Sequence, residues 1–164
     1  VRLSTVAALT AALSFVPVAA LAVPQVGQAA PALSLPSPDG KSTVSLAGLK
    51  GKPVYLNFFA SWCGPCNEEA PSIAQLRGKY AKRGLQVVGI DELDPPGKAT
   101  DFQKKYGAPY ALVGVDESGA TGRTFGTVAM PVHVFIDRKG VVRVYRIGEM
   151  NPGEIETAIK TALK

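Results

Sequence analysis

The chain's two cysteines, Cys63 and Cys66, stand with two residues between them in the run Trp62-Cys63-Gly64-Pro65-Cys66. Thiols at this spacing can close a small disulfide ring where their Cα atoms lie within about 7 Å. Cys63 falls at the expected start of a helix, where unpaired backbone N–H groups and the helix dipole favour a thiolate. The thiolate is the attacking form and also the better leaving group. Cys66, a turn further in, is expected to be less exposed and to resolve a mixed disulfide. Pro65 suits the first helical turn, where its missing N–H has no partner to lose. Two other readings compete. An inert bridge gains little stability from so short a loop, and zinc or copper on two thiolates is short of ligands unless a partner or His133, the single histidine, assists.

The surrounding elements must present this pair at a strand-to-helix junction. Val54 to Ala60, VYLNFFA, is nearly all apolar and β-prone, which predicts a central strand covered on both faces. A helix is predicted over Asn67 to Arg83, ending at Gly84. Strand Leu85 to Ile90, helix Lys98 to Tyr106 and strand Tyr110 to Val115 follow, then a looser stretch over Asp116 to Val128. Val132 to Ile136 and Val141 to Arg146 flank a turn, Asp137-Arg138-Lys139-Gly140, and read as an antiparallel hairpin. A last helix opens at Asn151 or Pro152, with Ile155, Ile159 and Leu163 on one face. Alternating strands and helices predict an α/β fold with helices packed on a sheet. Tyr106, Tyr110 and Tyr145 read as packing residues near the surface, and Asp91 to Pro96 as a loop.

At 164 residues the chain fits one domain with a terminal extension. Residues 1–30 carry one charge, Arg2, and an apolar run from Val6 to Val23. They read as a signal peptide cleaved after Ala22 or Ala29, or as a membrane anchor, ahead of a domain over residues 31–164. Residues 31–41 read as a linker. The formal charge of +5 is spread along the chain without a basic stripe, which argues against a nucleic-acid partner. Two cysteines are too few for a disulfide-dense scaffold or a four-cysteine metal site within this chain.

From about Leu33 to Leu163 the chain resembles the thioredoxin superfamily, and within it the exported thiol-disulfide oxidoreductases of the TlpA, ResA and CcmG/DsbE type. The resemblance rests on WCGPC after a buried strand, Gly51-Lys52-Pro53 before it and Asn57-Phe58-Phe59-Ala60-Ser61 leading into the motif. Glu68-Glu69 and Pro71 follow the motif, and Pro131 precedes Phe135-Ile136-Asp137 and Gly140. It implies a thioredoxin-like fold, a central mixed β-sheet flanked by helices, with an extra helix and strand inserted over Asp94 to Val115. It also implies that Pro131 is a cis proline offering a backbone edge to a substrate peptide, with Met130, Trp62, Gly64 and Pro65 on the docking surface. Glu69, one turn beyond Cys66, is a candidate to take a proton from that thiol if partly buried, and the resemblance places an acid there. A solvated helix charge is the plainer reading. Asn57 stands where simple thioredoxins carry a buried acid, Ala129 where the usual pattern has Gly, and His133 where it has a small hydroxyl residue. His133 reads as a hydrogen-bonded core residue, a modulator of thiol ionisation or a metal ligand.

The expected activity is reduction of protein disulfides outside the cytoplasm, in the periplasm or a secreted or membrane-anchored form, by a monomer with no cofactor. Resemblance alone supplies apocytochrome c or its maturation partners as substrate and a membrane electron donor of the DsbD or CcdA kind. The same thiols run in reverse, as a disulfide donor, if the reduced thiolate is strongly stabilised. A copper-binding or copper-delivery module and a non-catalytic interaction domain are the alternatives from other classes.

Overall fold

A computed structural model describes residues 23–164, and the signal or anchor reading of residues 1–22 lies outside the described residues. Seven strands and four helices follow one another as β1 (Ser34–Pro36), β2 (Thr43–Ser45), β3 (Val54–Phe59), α1 (Gly64–Tyr80), β4 (Gln86–Glu92), α2 (Lys98–Lys105), β5 (Leu112–Asp116), α3 (Ala120–Phe125), β6 (Val132–Ile136), β7 (Val142–Ile147) and α4 (Pro152–Ala162). The main sheet has the order β5-β4-β3-β6-β7. β3 runs parallel to β4 and β4 to β5, while β6 is antiparallel to both β3 and β7. The sheet is therefore mixed, with helix crossovers joining its parallel strands.

β3 sits at the centre because every one of its side chains is apolar or paired, and all six residues are buried. Period-two alternation divides them. Tyr55 and Phe59 join a core with Ala70 and Ile73 of α1, Phe102 of α2 and Ile155 and Ile159 of α4. Leu56 and Phe58 join a second core with Leu35, Val44 and Phe125 on the opposite face. Register then matters for polar residues too: Asn57 pairs with His133 across β3 and β6, which puts both on the face under α1.

The inserted helix and strand are α2 and β5, and β5 forms one sheet edge. Several sequence boundaries shift. The linker read over residues 31–41 contains β1, which pairs antiparallel with β2 and lays Leu35 against the backbone of Gly114. Ahead of residue 31, Gly27 donates to the Val142 carbonyl and Ala30 to that of Gly140, so this short segment pairs with the β6–β7 hairpin. β4 extends through Asp91 and Glu92, both buried, where a loop was expected. Tyr110 is 1% exposed and lies in the core instead of near the surface. α4 opens with a reciprocal capping box between Asn151 and Glu154. Among the described residues no helix is long and apolar enough to cross a membrane.

Candidate active site

β3 delivers the chain through Ala60-Ser61-Trp62 into α1, whose N-cap is Cys63 in extended backbone geometry. The Cys63 sulfur accepts a hydrogen bond from the Cys66 amide at 3.2 Å, so it occupies the capping position where helix N–H groups converge. Cys63 and Cys66 are joined as a disulfide with Cα atoms 5.3 Å apart, inside the range that a bridge requires. Both sulfur-bearing residues are buried, Cys66 at 2% exposure and Cys63 at 5%. Pro65 lies in the first helical turn as expected. Around the pair Gly64 and Pro65 are exposed, and Trp62 projects into solvent with 63% of its surface free.

Two residues that sequence reasoning missed hold this junction in place. Asp94, in the loop after β4, accepts hydrogen bonds from the Ser61 amide and the Ser61 hydroxyl. Asn67 donates through its side-chain amide to the carbonyls of Ser61 and Cys63 at 3.0 and 2.6 Å. Its carbonyl in turn accepts from the Tyr106 hydroxyl at the end of α2. The insertion therefore grips the disulfide loop from outside the helix that carries it. Asn67 carried one usable signal, an amide side chain four residues after Cys63, where such groups bond to nearby backbone. Asp94 carried none beyond its charge.

Pro131 precedes β6, and the Met130–Pro131 peptide is cis. Val132 pairs with Phe58, which places Pro131 beside the end of β3 from which the cysteine motif springs. The Pro131 carbonyl accepts from the Gly148 amide at 2.8 Å. Met130 is half-buried against the core cluster that contains both cysteines.

Glu69 lies one turn beyond Cys66 and is buried at 4% exposure, which removes the solvated reading. One carboxylate oxygen accepts from the Met150 amide at 2.5 Å. The other faces His133 Nε2 at 3.5 Å. Burial pushes this carboxyl up to about 7, opposed by the Met150 N–H and reinforced by the charge of Glu149. His133 is 0% exposed and burial lowers it to about 4. Its Nδ1 lies 2.8 Å from the Tyr55 hydroxyl and 3.1 Å from Asn57 Nδ2, and Asn57 Oδ1 accepts from the Tyr110 hydroxyl at 2.6 Å. Five polar side chains thus meet in the core under α1. Among the described residues no group of three or more His, Cys, Asp or Glu is placed to hold a metal ion.

A two-cysteine disulfide at a helix cap, beside a cis proline and above a buried acid, has the parts needed for thiol-disulfide exchange. Residues 25–163 match the Redoxin family. The chain belongs to the Redoxin family. The chain is 30% identical over 136 residues to the thiol-disulfide oxidoreductase ResA of Bacillus thuringiensis, covering 83% of this chain and 78% of that one. It is 34% identical over 137 residues to the thiol:disulfide interchange protein DsbE of Escherichia coli, covering 82% and 72%. The solved structure of a thioredoxin-family thiol:disulfide interchange protein from Chlorobium tepidum superposes with a TM-score of 0.73 at 30% identity, covering 85% of this chain and 99% of that one. The chain is a thioredoxin-fold oxidoreductase of the TlpA/ResA/CcmG type that acts on thiols and disulfides.

Proposed function

We propose that this oxidoreductase works as a reductant of disulfides in exported proteins, apocytochrome c among them, outside the cytoplasm. Cys63 at the helix cap, its sulfur held by the Cys66 amide at 3.2 Å beside the exposed Trp62, Gly64 and Pro65, supports the exchange itself. The observation that carries the reducing direction is the burial of both cysteines, at 5% and 2% exposure, which disfavours the thiolate. In the reduced protein the Cys63 thiolate attacks a substrate disulfide. The substrate S–S bond breaks, one substrate thiolate leaves and a mixed disulfide forms. Cys66 gives its proton to Glu69 and attacks the Cys63 sulfur, which expels the second substrate sulfur as a thiolate that takes its proton from solvent. The substrate has then gained two electrons and this protein is oxidised. A membrane electron donor of the DsbD or CcdA kind restores the dithiol. The cis Pro131 edge and Met130 receive the substrate chain during the exchange.

Cleavage of the leader after Ala22 fits this reading, since it keeps the pairing of Gly27 and Ala30 with the hairpin, whereas cleavage after Ala29 removes part of it. Two alternatives carry less support. Copper binding through the thiols and His133 competes with Tyr55, Asn57 and Glu69, which already face both nitrogens of that ring. Disulfide donation requires a strongly stabilised Cys63 thiolate, and the helix cap favours it while burial of the sulfur opposes it.

The deciding measurement is the equilibrium reduction potential of Cys63/Cys66 against glutathione or dithiothreitol. A value at or below about −270 mV supports a reductant, and one near −120 mV overturns that direction in favour of a disulfide donor. For the proton step, Glu69→Gln is expected to remove one ionisation from the pH profile of Cys66 alkylation in the reduced protein. An unchanged profile would remove Glu69 from the proton transfer.

A further inference from the structure

His133 is a titratable side chain beneath the active site to which the exchange reaction above assigns no part. Its surroundings fix its protonation pattern. Asn57 Nδ2 lies 3.4 Å from the Val132 carbonyl and Asn57 Oδ1 accepts from Tyr110, so the amide has one orientation and directs its N–H₂ at His133 Nδ1. With the Asn57 amide donating to it, Nδ1 is the acceptor nitrogen, and the Tyr55 hydroxyl 2.8 Å away donates to it as well. The ring proton therefore sits on Nε2. That nitrogen and Glu69 Oε2 are each buried with no hydrogen-bond partner, and they face one another at 3.5 Å, with the Gly148 backbone as another group acting on the ring.

We propose that His133 is a positioning residue for Glu69, presenting its Nε2–H to Oε2 while the Met150 amide holds Oε1. Ionisation of Glu69 puts negative charge between these two N–H dipoles, which favour the carboxylate and oppose the cost of burial. His133 thereby keeps the proton affinity of Glu69 low enough for the acid to change state near neutral pH. The other charged or titratable groups acting on the pair are Tyr55 on β3, Tyr110 before β5, Arg146 on β7 and Glu149 before α4. Arg146 opposes a positive charge on His133 and so favours the neutral donor, and Glu149 raises Glu69. The role rests on the reading of Glu69 as proton acceptor, but the pairing itself is measurable without it.

The test is carbon-13 NMR titration of the Glu69 carboxyl in the full oxidised protein, where no thiol ionises and the result is independent of the exchange step. His133→Asn keeps an acceptor near Nδ1 for Tyr55 and Asn57 but ends short of Glu69. His133→Gln reaches the Nε2 position with an N–H donor. The Asn variant is expected to raise the Glu69 midpoint by about one pH unit, a tenfold gain in proton affinity, while the Gln variant stays near the parent. Equal midpoints in parent and Asn variant, or equal shifts in both variants, would overturn the proposal. Nitrogen-15 shifts of the parent ring read the same point with no substitution: a proton on Nε2 supports the pairing, and a proton on Nδ1 refutes it.

Discussion

Asp94 and Ser61 are joined twice, the Ser61 amide at 2.6 Å to one carboxylate oxygen and the Ser61 hydroxyl at 2.9 Å to the other. Ser61 is two residues ahead of Cys63, so this carboxylate from the loop after β4 sets the path by which the chain enters the disulfide. Hydrogen bonds to a charged group are stronger than neutral ones, and removing the acceptor leaves the Ser61 donors to whatever water reaches them. Asp94→Ala is expected to lower the unfolding free energy of the oxidised protein by about 1–3 kcal/mol, and Ser61→Ala, which keeps the amide contact, by about 1 kcal/mol or less. Urea denaturation of the three proteins decides it. Equal stability of Asp94→Ala and the parent would show that the contact holds nothing.

Asp91 stands behind Asp94 and is 2% exposed. Burial, then the hydrogen bond and the charge of Asp94, push its carboxyl up to about 8. The folded state therefore holds a proton that the unfolded state releases near the ordinary aspartate value of 3.8. Stability linked to this proton is full below the unfolded value and is lost as pH rises through the folded one. Asp91→Asn keeps an N–H to donate and cannot ionise. Its melting temperature, set against the parent, is expected to gain a few degrees between pH 5.5 and pH 8.5. Parallel pH curves for the two proteins would contradict a protonated Asp91. Glu69 follows the same sign with a folded value of about 7, so its own contribution is also lost toward alkaline pH.

These acids show where local pattern stops being informative. The all-apolar run of β3 leading into Cys63 and the turn at Asp137 to Gly140 were legible because each depends on neighbours in sequence. The pair Asp91-Glu92, followed by Asp94-Pro95-Pro96, looks like solvated loop by the same local measure. Its burial follows from partners elsewhere, Ser61 for Asp94 and Thr127 for Glu92. Glu69 is similar. Its spacing from Cys66 puts it one turn along the helix, but its hydrogen-bond donor, the Met150 amide, lies 81 residues away, and no periodicity announces such a contact. Tyr110 reads from sequence as a packing residue near the surface and not as the buried residue that orients Asn57, because its hydroxyl partner is set by the register of β3 against β4 and of β4 against β5.

Gly89 of β4 lies directly under the Tyr110 ring, and a Cβ built there would come within 2.5 Å of it. The glycine is needed for this close approach and not for an unusual backbone angle. Gly89→Ala must displace the ring and with it the hydroxyl that bonds Asn57 Oδ1 at 2.6 Å. Overpacking of this kind costs about 1–3 kcal/mol, while Tyr110→Phe, which keeps the ring and leaves one buried carbonyl unpaired, is expected to cost about 1–2 kcal/mol. In the Tyr110→Phe background Gly89→Ala should cost less than it does alone, because part of its effect is the same lost hydrogen bond. Strict additivity in a double-mutant cycle would show that the glycine and the hydroxyl act independently.

Trp62 separates docking from chemistry. With 63% of its surface exposed it contributes little to the core, so Trp62→Ala is expected to change stability by about 0.5 kcal/mol or less. An exposed aromatic beside Cys63 offers apolar area to a protein substrate, and anchors of this kind are worth about 1–2 kcal/mol when truncated at an interface. Exchange with a protein disulfide should therefore slow by about five- to thirtyfold in kcat/KM, which is the same energy expressed as a rate. Exchange with dithiothreitol, too small to reach across the indole, should change by less than about twofold on the same reasoning, since it forgoes that contact. Equal losses with both reagents would mean that the indole acts on the sulfur chemistry itself, by shielding Cys63 or tuning its ionisation. Undiminished rates with both would remove Trp62 from the docking surface and leave the Pro131 edge and Met130 to receive the substrate.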